Sequence, residues 1–284
     1  MNLLLTKEFL DQVARFVQYY DPHNITIAAG IQGGYVRGTA DEHSDIDLVF
    51  VFKNRNDAER MPVGTILFEQ KKFGIRHLYM AGIDINQFSA KIRYVYTHET
   101  YVLYDKVDAF SYLIDKMQMS SFEKKQIITF VSKKLAIRGI TYQGISMQRW
   151  HGINLDMPKE YWIEKRDLLS AHMRLTESIE LITLLIFALN DCYLPSPKWR
   201  YNILQNLEWL PENFIDLYKN SLITAWDAQS HIVRQEALCK LFTLCIDYSK
   251  KENILPDDIN MYYKNWFFKE TDNPNEQRLG IKNW

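Results

Sequence analysis

Apolar residues in the first twenty positions recur at spacings of three and four. Leu5, Phe9, Val13 and Phe16 follow this spacing, and Val17 lies beside them. Such a spacing gives a helix one apolar face. The sequence therefore predicts an amphipathic helix over residues 5–20.

After this helix the pattern changes to short apolar and β-branched runs, each bounded by glycine or polar residues, which is typical of strands. The run at 25–29 stops at Gly30, and the run at 45–52 is apolar on both faces in its outer half. A strand with two apolar faces is expected at the centre of a sheet. Strands are predicted over residues 25–29, 45–52, 66–70, 76–80 and 83–88, with a turn-rich stretch at 53–64.

From about residue 120 the apolar spacing is helical, and a stretch with two prolines at 190–197 interrupts it once. Helices are predicted over residues 122–137, 165–189, 199–207, 211–218 and 223–249. The predicted fold class is α+β: a small mixed β-sheet with flanking helices over residues 1–118, followed by an all-α helical bundle over residues 119–284.

Composition narrows the possible partners. The chain has 284 residues, with 34 Lys plus Arg against 35 Asp plus Glu, so it lacks the broad positive field that extended nucleic acids select. Three cysteines in apolar surroundings, Cys192, Cys239 and Cys245, are typical of free thiols in a reducing compartment. The N-terminus lacks the basic segment of a signal peptide and no apolar run is long enough to span a membrane, so we expect a cytoplasmic protein.

One stretch carries candidate chemistry. Gly33 and Gly34 follow the first predicted strand, and their lack of a Cβ lets a phosphate approach the main chain. Asp45 and Asp47 are two residues apart on the next predicted strand, so their side chains are expected on one face. Two carboxylates held together repel one another unless a cation neutralises them, and hard oxygen ligands favour Mg²⁺ shared with a triphosphate.

Two neighbours of these residues can add phosphate contacts. Arg37 can bind a phosphate through two parallel hydrogen bonds, and Ser44 can either bind a phosphate or cap the local turn. Lys198, in the helical half, is a candidate contact for the triphosphate tail, with a solvated loop charge beside Trp199 as the alternative.

The order Gly33-Gly34 followed about ten residues later by Asp45-Ile46-Asp47 resembles the signature of the DNA polymerase β-like nucleotidyltransferase superfamily. The resemblance implies that residues 1–118 are the catalytic domain, that Asp45 and Asp47 bind metal, and that a later strand supplies a third carboxylate. Asp84, in Ile83-Asp84-Ile85, fits that third position best. Gly34 stands where many members carry serine, so one side-chain phosphate contact is absent here.

The order of a minimal catalytic domain and a helical domain is similar to that of the aminoglycoside and lincosamide nucleotidyltransferases. We therefore expect Mg²⁺-dependent transfer of a nucleoside monophosphate, AMP from ATP, to a hydroxyl of a small acceptor such as an antibiotic. On the helix before Asn190, Glu177 and Glu180 share a face and are candidates for a general base, although exposed glutamates are common on such helices. The alternatives are a nucleotide-binding regulatory or toxin–antitoxin component, or a nucleotidyltransferase that modifies a protein or RNA.

Overall fold

The structure is a computed structural model and describes residues 4–142, 162–223 and 225–256. The chain divides into two compact units, Met1–Gln118 and Met119–Trp284. In the described residues of the second unit all regular elements are helices. The architecture confirms the predicted α+β class, with a mixed sheet and its helices followed by a helical region.

The first unit contains five strands and several helices. In chain order they are α1 (Lys7–Tyr20), β1 (Ala28–Gln32), α2 (Gly34–Arg37), β2 (Ile46–Phe52), α3 (Arg55–Glu59), β3 (Gly64–Phe68), β4 (Lys71–Tyr79), a 3-10 helix (Ile85–Gln87), α4 (Ala90–His98), β5 (Thr100–Asp105) and α5 (Ala109–Met117).

The strands form one mixed sheet in the order β3-β4-β2-β1-β5. Strand β1 runs antiparallel to β2 and β5, β2 runs parallel to β4, and β3 is antiparallel to β4. Strand β2 thus occupies the centre, as its two apolar faces predict. Its alternate residues enter two separate cores.

On one face of the sheet, Phe50 and Phe52 of β2 pack in a core that includes helix α1. Phe16 of α1 stacks on Phe73 of β4 with ring centroids 3.9 Å apart. On the other face, Val49 and Val51 pack with residues of α4 and α5. Because side chains alternate along a strand, Asp47 lies on the same face as Val49 and Val51, at the end where β2 begins.

The second unit consists of α6 (Ser121–Ile137), α7 (Leu168–Leu189), α8 (Pro197–Leu204), α9 (Phe214–Ser221) and α10 (Ala228–Lys251) in the part of the chain that is described. Helix α6 begins with a capping box in which Ser120 and Glu123 satisfy each other's backbone N–H groups. The long helix α7 packs against α6 and α10, and α10 also packs against α9. All five helices match predicted ones, with boundaries shifted by at most five residues.

The sequence interpretation is wrong in several places in the first unit, including the predicted turn-rich stretch at 53–64, which contains α3. Residues 83–88 are not a strand but contain the 3-10 helix, and α4, β5 and α5 follow where no elements were predicted. Strand β1 does not stop at Gly30 but continues to Gln32. Gly30 is needed inside the strand, since a Cβ there would lie 2.8 Å from Cε1 of Phe110 and 3.1 Å from the carbonyl oxygen of Tyr101.

The cysteines are free thiols, as predicted: Cys192 and Cys245 are buried and Cys239 is half-buried. Burial raises the pKa of the Cys192 thiol to about 12, so this thiol is protonated and unreactive at neutral pH. Among the residues that are described, no helix combines the length and apolar character needed to cross a membrane.

Candidate active site

The glycine turn lies directly after β1. Gly33 has a φ of 73° and precedes the one-turn helix α2, which ends at Gly38 in the left-handed conformation. The N–H of Gly33 donates to the carbonyl oxygen of Glu99 at 3.2 Å, so it is already used within the fold. Of the two glycines, Gly34 therefore has the N–H that can meet a phosphate oxygen.

The two predicted carboxylates converge at the start of β2. Asp45 immediately precedes the strand and Asp47 is its second residue. A Cβ built on Gly74, the β4 residue paired with Asp47, would lie 3.1 Å from Asp47 Oδ1 and 3.6 Å from Asp45 Oδ2. Both carboxylates therefore occupy the space above Gly74, which confirms that they share a face.

Asp47 also lies against the glycine turn. A Cβ on Gly33 would be 2.9 Å from Asp47 Oδ2, so this carboxylate fits between two positions that carry no side chain. Burial raises the pKa of Asp47; the charge of Asp45 raises it further, while Arg76 and Arg37 oppose the shift. The local sequence did not indicate Gly74, because its role depends on the pairing of β4 with β2.

Arg37 is held by a buried ion pair with Glu99, and its side chain is only 11% exposed. Its Nε also donates to Thr39 Oγ1 at 3.3 Å. Burial raises the pKa of Glu99, and the attraction of Arg37 opposes that shift. Sequence reasoning missed Glu99, which follows α4 and precedes β5. The β-branched and aromatic run at 100–105 could have indicated strand β5, but not its pairing with β1.

Asp84 does not join this site. Its side chain accepts from the N–H of Asn86 at 3.0 Å and caps the 3-10 helix after β4. The N–H of Met80 bonds to the carbonyl of Phe52 at the far end of β2. Asp47 and Phe52 are separated by roughly 16 Å of strand, so the structure places Asp84 at the opposite end of the sheet.

Strand β4, which pairs with the Asp47 strand β2, contains no acidic residue. Its sequence is KKFGIRHLY, and the residue on the same face after Gly74 is Arg76. Arg76 Nη2 lies 3.5 Å from Asp47 Oδ1. Among the described residues there is no group of three or more His, Cys, Asp or Glu side chains arranged to hold a metal ion. The structure thus brings two carboxylates and a guanidinium together, not three carboxylates.

Residues 10–137 match the family model described as a nucleotidyltransferase domain. The sequence of this segment is thus similar to that of a nucleotidyltransferase domain. The match starts within α1 and ends at the last residue of α6, so it includes the glycine turn and both aspartates. It supports transferase activity and confirms the prediction of a nucleotidyltransferase enzyme, while the finer resemblance to aminoglycoside and lincosamide enzymes stays a prediction.

One similar solved structure is the nucleotidyltransferase-like protein from Exiguobacterium sibiricum 255-15. It is 9% identical to this chain, the alignment covers 86% of this chain and 77% of that one, and the TM-score is 0.44. A likeness at this level says nothing about substrates. No curated protein matches the chain.

Ser44, two residues before β2, serves the local turn. Its Oγ donates to Asp41 Oδ1 at 2.7 Å and accepts from the N–H of Asp41 at 3.0 Å. Of the two roles predicted for Ser44, the structure shows the turn cap. A phosphate contact from Ser44 would require these bonds to rearrange.

The candidates from the helical unit are engaged within that unit. Lys198 is the second residue of α8, with Nζ 4.9 Å from the centre of the Trp199 ring. Glu177 pairs with Arg138 and Arg174, and Glu180 pairs with Arg200. A contact of Lys198 with the triphosphate stays a prediction. Glu177 and Glu180 are each held in ion pairs with arginines, which gives both glutamates a structural role.

Proposed function

We propose that this protein is a Mg²⁺-dependent nucleotidyltransferase that transfers AMP from ATP to a hydroxyl group of a small molecule. The observation that carries the proposal is the convergence of Asp45 and Asp47 above Gly74, directly beside the Gly33 turn. These residues lie in the segment whose sequence is similar to that of a nucleotidyltransferase domain. A carboxylate pair next to a backbone turn suits a triphosphate bound through a shared cation.

The donor set fits Mg²⁺. Asp45 and Asp47 present carboxylate oxygens, which are the ligands this ion prefers, and Mg²⁺ commonly binds one or two carboxylates together with waters and substrate phosphates. Two protein ligands are therefore sufficient when a triphosphate supplies others. When bound, the ion would polarise the α-phosphate and neutralise charge on the departing pyrophosphate.

The protein's own groups complete the binding of the triphosphate. Glu99 fixes Arg37 next to the glycine turn, so the guanidinium is held in one orientation from which it can meet a phosphate. The Gly34 N–H provides a second donor that needs no side chain. Glu99 is thus a positioning residue in this proposal, since it acts through Arg37.

Calorimetric titration with a non-hydrolysable ATP analogue tests the donor half of the proposal. Binding should require Mg²⁺ and should be lost in Asp47→Asn, which keeps the side-chain size and removes a ligand charge. Asp84→Asn is the matched control, since Asp84 lies at the other end of β2 and an asparagine can still cap the 3-10 helix. Equal loss in both variants, or in neither, would contradict the placement of the metal at Asp45 and Asp47.

Transfer itself is tested with ATP labelled at the α-phosphate and a panel of hydroxylated small molecules that includes aminoglycosides and lincosamides. We expect the label to appear in a new product together with released pyrophosphate, and label at the γ-phosphate to remain in pyrophosphate. The near-balanced charge of the chain favours small acceptors over RNA. Incorporation of label into transfer RNA or protein instead would favour the large-acceptor alternative.

A second candidate is a nucleotide-binding regulatory protein that performs no transfer. The specific observation in its favour is Arg76, a cation on the strand beside Asp47, where no further carboxylate is found among the described residues. Two results together would support this candidate over transfer. ATP would bind in a metal-dependent way through Asp47, and α-labelled ATP would stay intact when a whole-cell extract supplies the acceptors.

A further inference from the structure

The two carboxylates of the site share their surroundings with one exposed guanidinium. Arg76 Nη2 lies 3.5 Å from Asp47 Oδ1, and the side chains of Arg76 and Asp47 are 60% and 30% exposed. Among the described residues, Arg76 is the cation that lies within ion-pair distance of Asp47. The pair is therefore open to solvent on the arginine side and half-buried on the aspartate side.

Strand register fixes where Arg76 stands. Asp47 pairs with Gly74 and Val49 pairs with Arg76 in the parallel β2–β4 ladder, so Arg76 is the next β4 residue on the face of Asp47. Because Gly74 has no side chain, nothing on β4 separates the guanidinium from the carboxylates.

Arg37, the other arginine of the site, is paired with a different carboxylate. Arg37 forms a buried ion pair with Glu99, whose side chain is only 5% exposed. Arg37 and Glu99 therefore balance each other. Asp45, Asp47 and Arg76 together carry one net negative charge, where the two carboxylates alone would carry two.

We propose that Arg76 takes the place of the divalent cation beside Asp47 in the free protein and moves to a triphosphate oxygen when the metal and the nucleotide arrive together. The inference rests on the proposed function and adds a regulation of the same site. A divalent ion alone meets a site whose charge is half neutralised, so it binds weakly. A metal–triphosphate complex brings an anion that accepts the displaced guanidinium, so it binds well.

The arginine must therefore have opposite effects on the two ligands. Titration of the nucleotide-free protein with Mn²⁺, followed by the electron paramagnetic resonance signal of the free ion, measures the metal alone. Arg76→Gln should bind Mn²⁺ about three- to tenfold more tightly than the wild type, since an exposed charge pair couples weakly and the ion carries two charges. Calorimetry of the same variant with the Mg²⁺ complex of the ATP analogue should show binding weakened about three- to tenfold.

Arg60→Gln is the control for removing a positive charge from the first unit. Arg60 is 75% exposed and lies 3.8 Å from Asp57 at the end of α3, so its loss should leave both affinities unchanged. The double variant Arg76→Gln, Asp47→Asn should lose the gain in Mn²⁺ affinity. Thermal unfolding of each variant verifies that it is folded before its affinities are compared.

The outcomes separate this inference from the proposed function. If Asp47→Asn loses binding of the metal–nucleotide complex but Arg76→Gln leaves Mn²⁺ affinity unchanged or lower, only the inference about Arg76 is overturned. If Asp47→Asn binds the complex as the wild type does, the proposed function fails irrespective of Arg76. An increase in affinity for both ligands in Arg76→Gln would show that Arg76 only blocks the site, and would overturn its role in phosphate binding.

Discussion

At the scale of single residues, the site depends on space as much as on charge. The Asp47 carboxylate fits between Gly33 and Gly74, and a Cβ on either glycine would come within 3.1 Å of one of its oxygens. Gly33 also has a φ of 73°, a conformation that favours glycine. Gly74 has no such backbone requirement, so its importance lies in the room that it leaves above the strand.

Gly74→Ala therefore separates the site from the fold. The added methyl would lie 3.1 Å from Asp47 Oδ1, so the Asp47 carboxylate must shift by a few tenths of an ångström, whereas the 3.6 Å distance to Asp45 Oδ2 is an ordinary contact. We expect the affinity for the Mg²⁺–nucleotide complex to fall about tenfold or more, which corresponds to roughly 1.4 kcal/mol. Unfolding in urea should show an equal or slightly higher stability, since alanine loses less backbone entropy than glycine in a strand.

A decrease in stability that parallels the loss of affinity would mean that Gly74→Ala disturbs the sheet itself. Normal affinity in this variant would mean that the carboxylates are not held above Gly74 when the ligand is bound.

The raised pKa of Asp47 predicts that the site lowers the stability of the free protein. Burial is the largest cause of the rise, with Asp45 adding to it and Arg76 and Arg37 opposing it. A carboxyl with a raised pKa in the folded state favours folding when it is protonated, and that contribution is lost as pH rises through the folded pKa. At neutral pH the ionised Asp47 therefore costs stability.

Asp47→Asn should accordingly unfold at a higher temperature than the wild type at pH 7, in the absence of metal and nucleotide. The difference should vanish below the ordinary aspartate pKa of about 3.9, where Asp47 is neutral in both states. Calorimetric melting between pH 3 and pH 8 measures it, with Asp84→Asn as the control. A variant that is less stable than the wild type at pH 7 would show that the ion pair with Arg76 outweighs burial.

At the scale of elements, the sequence predicted local features well and long-range pairing poorly. The glycine turn, the Asp45–Asp47 spacing and the central strand β2 lie within one continuous stretch, so their pattern can be read from neighbouring residues. Gly74, Arg76 and Glu99 reach the site only through the pairing of β4 with β2 and of β5 with β1. Register between distant strands is set by the folded sheet, and no local spacing encodes it.

The error at Asp84 has the same origin. Its flanking isoleucines and its position after Asp47 resemble a strand, but Ala81 and Gly82 end the preceding β4 segment. Gly82 has a φ of 75°, and Asp84 then uses its carboxylate as a cap of the 3-10 helix. The short side chain of an Asp or Asn after a glycine turn favours a hydrogen bond to the nearby backbone over a position in a strand.

In the helical unit, Arg234 joins three helices, and among the residues that the structure describes it pairs with no carboxylate. The residue is 2% exposed, and its guanidinium donates to the Ser221 carbonyl at 3.0 Å, to His172 Nδ1 at 2.9 Å and to Thr176 Oγ1 at 3.1 Å. The Ser221 carbonyl ends α9, where the negative end of the helix dipole attracts a cation. Arg234 of α10 therefore connects α9 to α7.

Arg234→Ala should destabilise the protein by about 2–4 kcal/mol, because it leaves buried acceptors unsatisfied and removes a packed side chain. Urea denaturation of the whole chain measures the change. Lys240→Ala, an exposed position on the same helix, is the control and should cost less than about 0.5 kcal/mol. A loss of similar size in both would assign the effect to helix α10 in general and not to the contacts of Arg234.

At the scale of the whole molecule, two boundaries can be compared. The first compact unit ends at Gln118, whereas the match to the nucleotidyltransferase domain continues to residue 137 and so includes α6. Both cores of the sheet consist of residues from the first unit alone. The predicted domains, a catalytic domain over residues 1–118 and a helical domain over residues 119–284, stay a prediction. Fragments that end at each of the two boundaries can test it.

A fragment of residues 1–118 should fold by itself, since each face of its sheet is covered by helices of the same unit. Helix α1 covers one face and helices α4 and α5 cover the other, and a chain of this length buries enough surface to be stable. We expect a cooperative thermal transition and near-ultraviolet circular dichroism typical of packed aromatic rings. Phe50→Ala, which empties a fully buried site on β2, is the control and should lower the transition temperature markedly.

The same fragment should bind the Mg²⁺ complex of the ATP analogue through Asp45 and Asp47, because every residue assigned to that site except Lys198 lies within it. A fragment of residues 1–137 provides the comparison. If only the longer fragment folds, α6 completes the first unit and the family boundary is the structural one. If both fold but neither binds the complex, the helical unit contributes a group that the nucleotide requires, and Lys198 becomes the first residue to substitute in the whole chain.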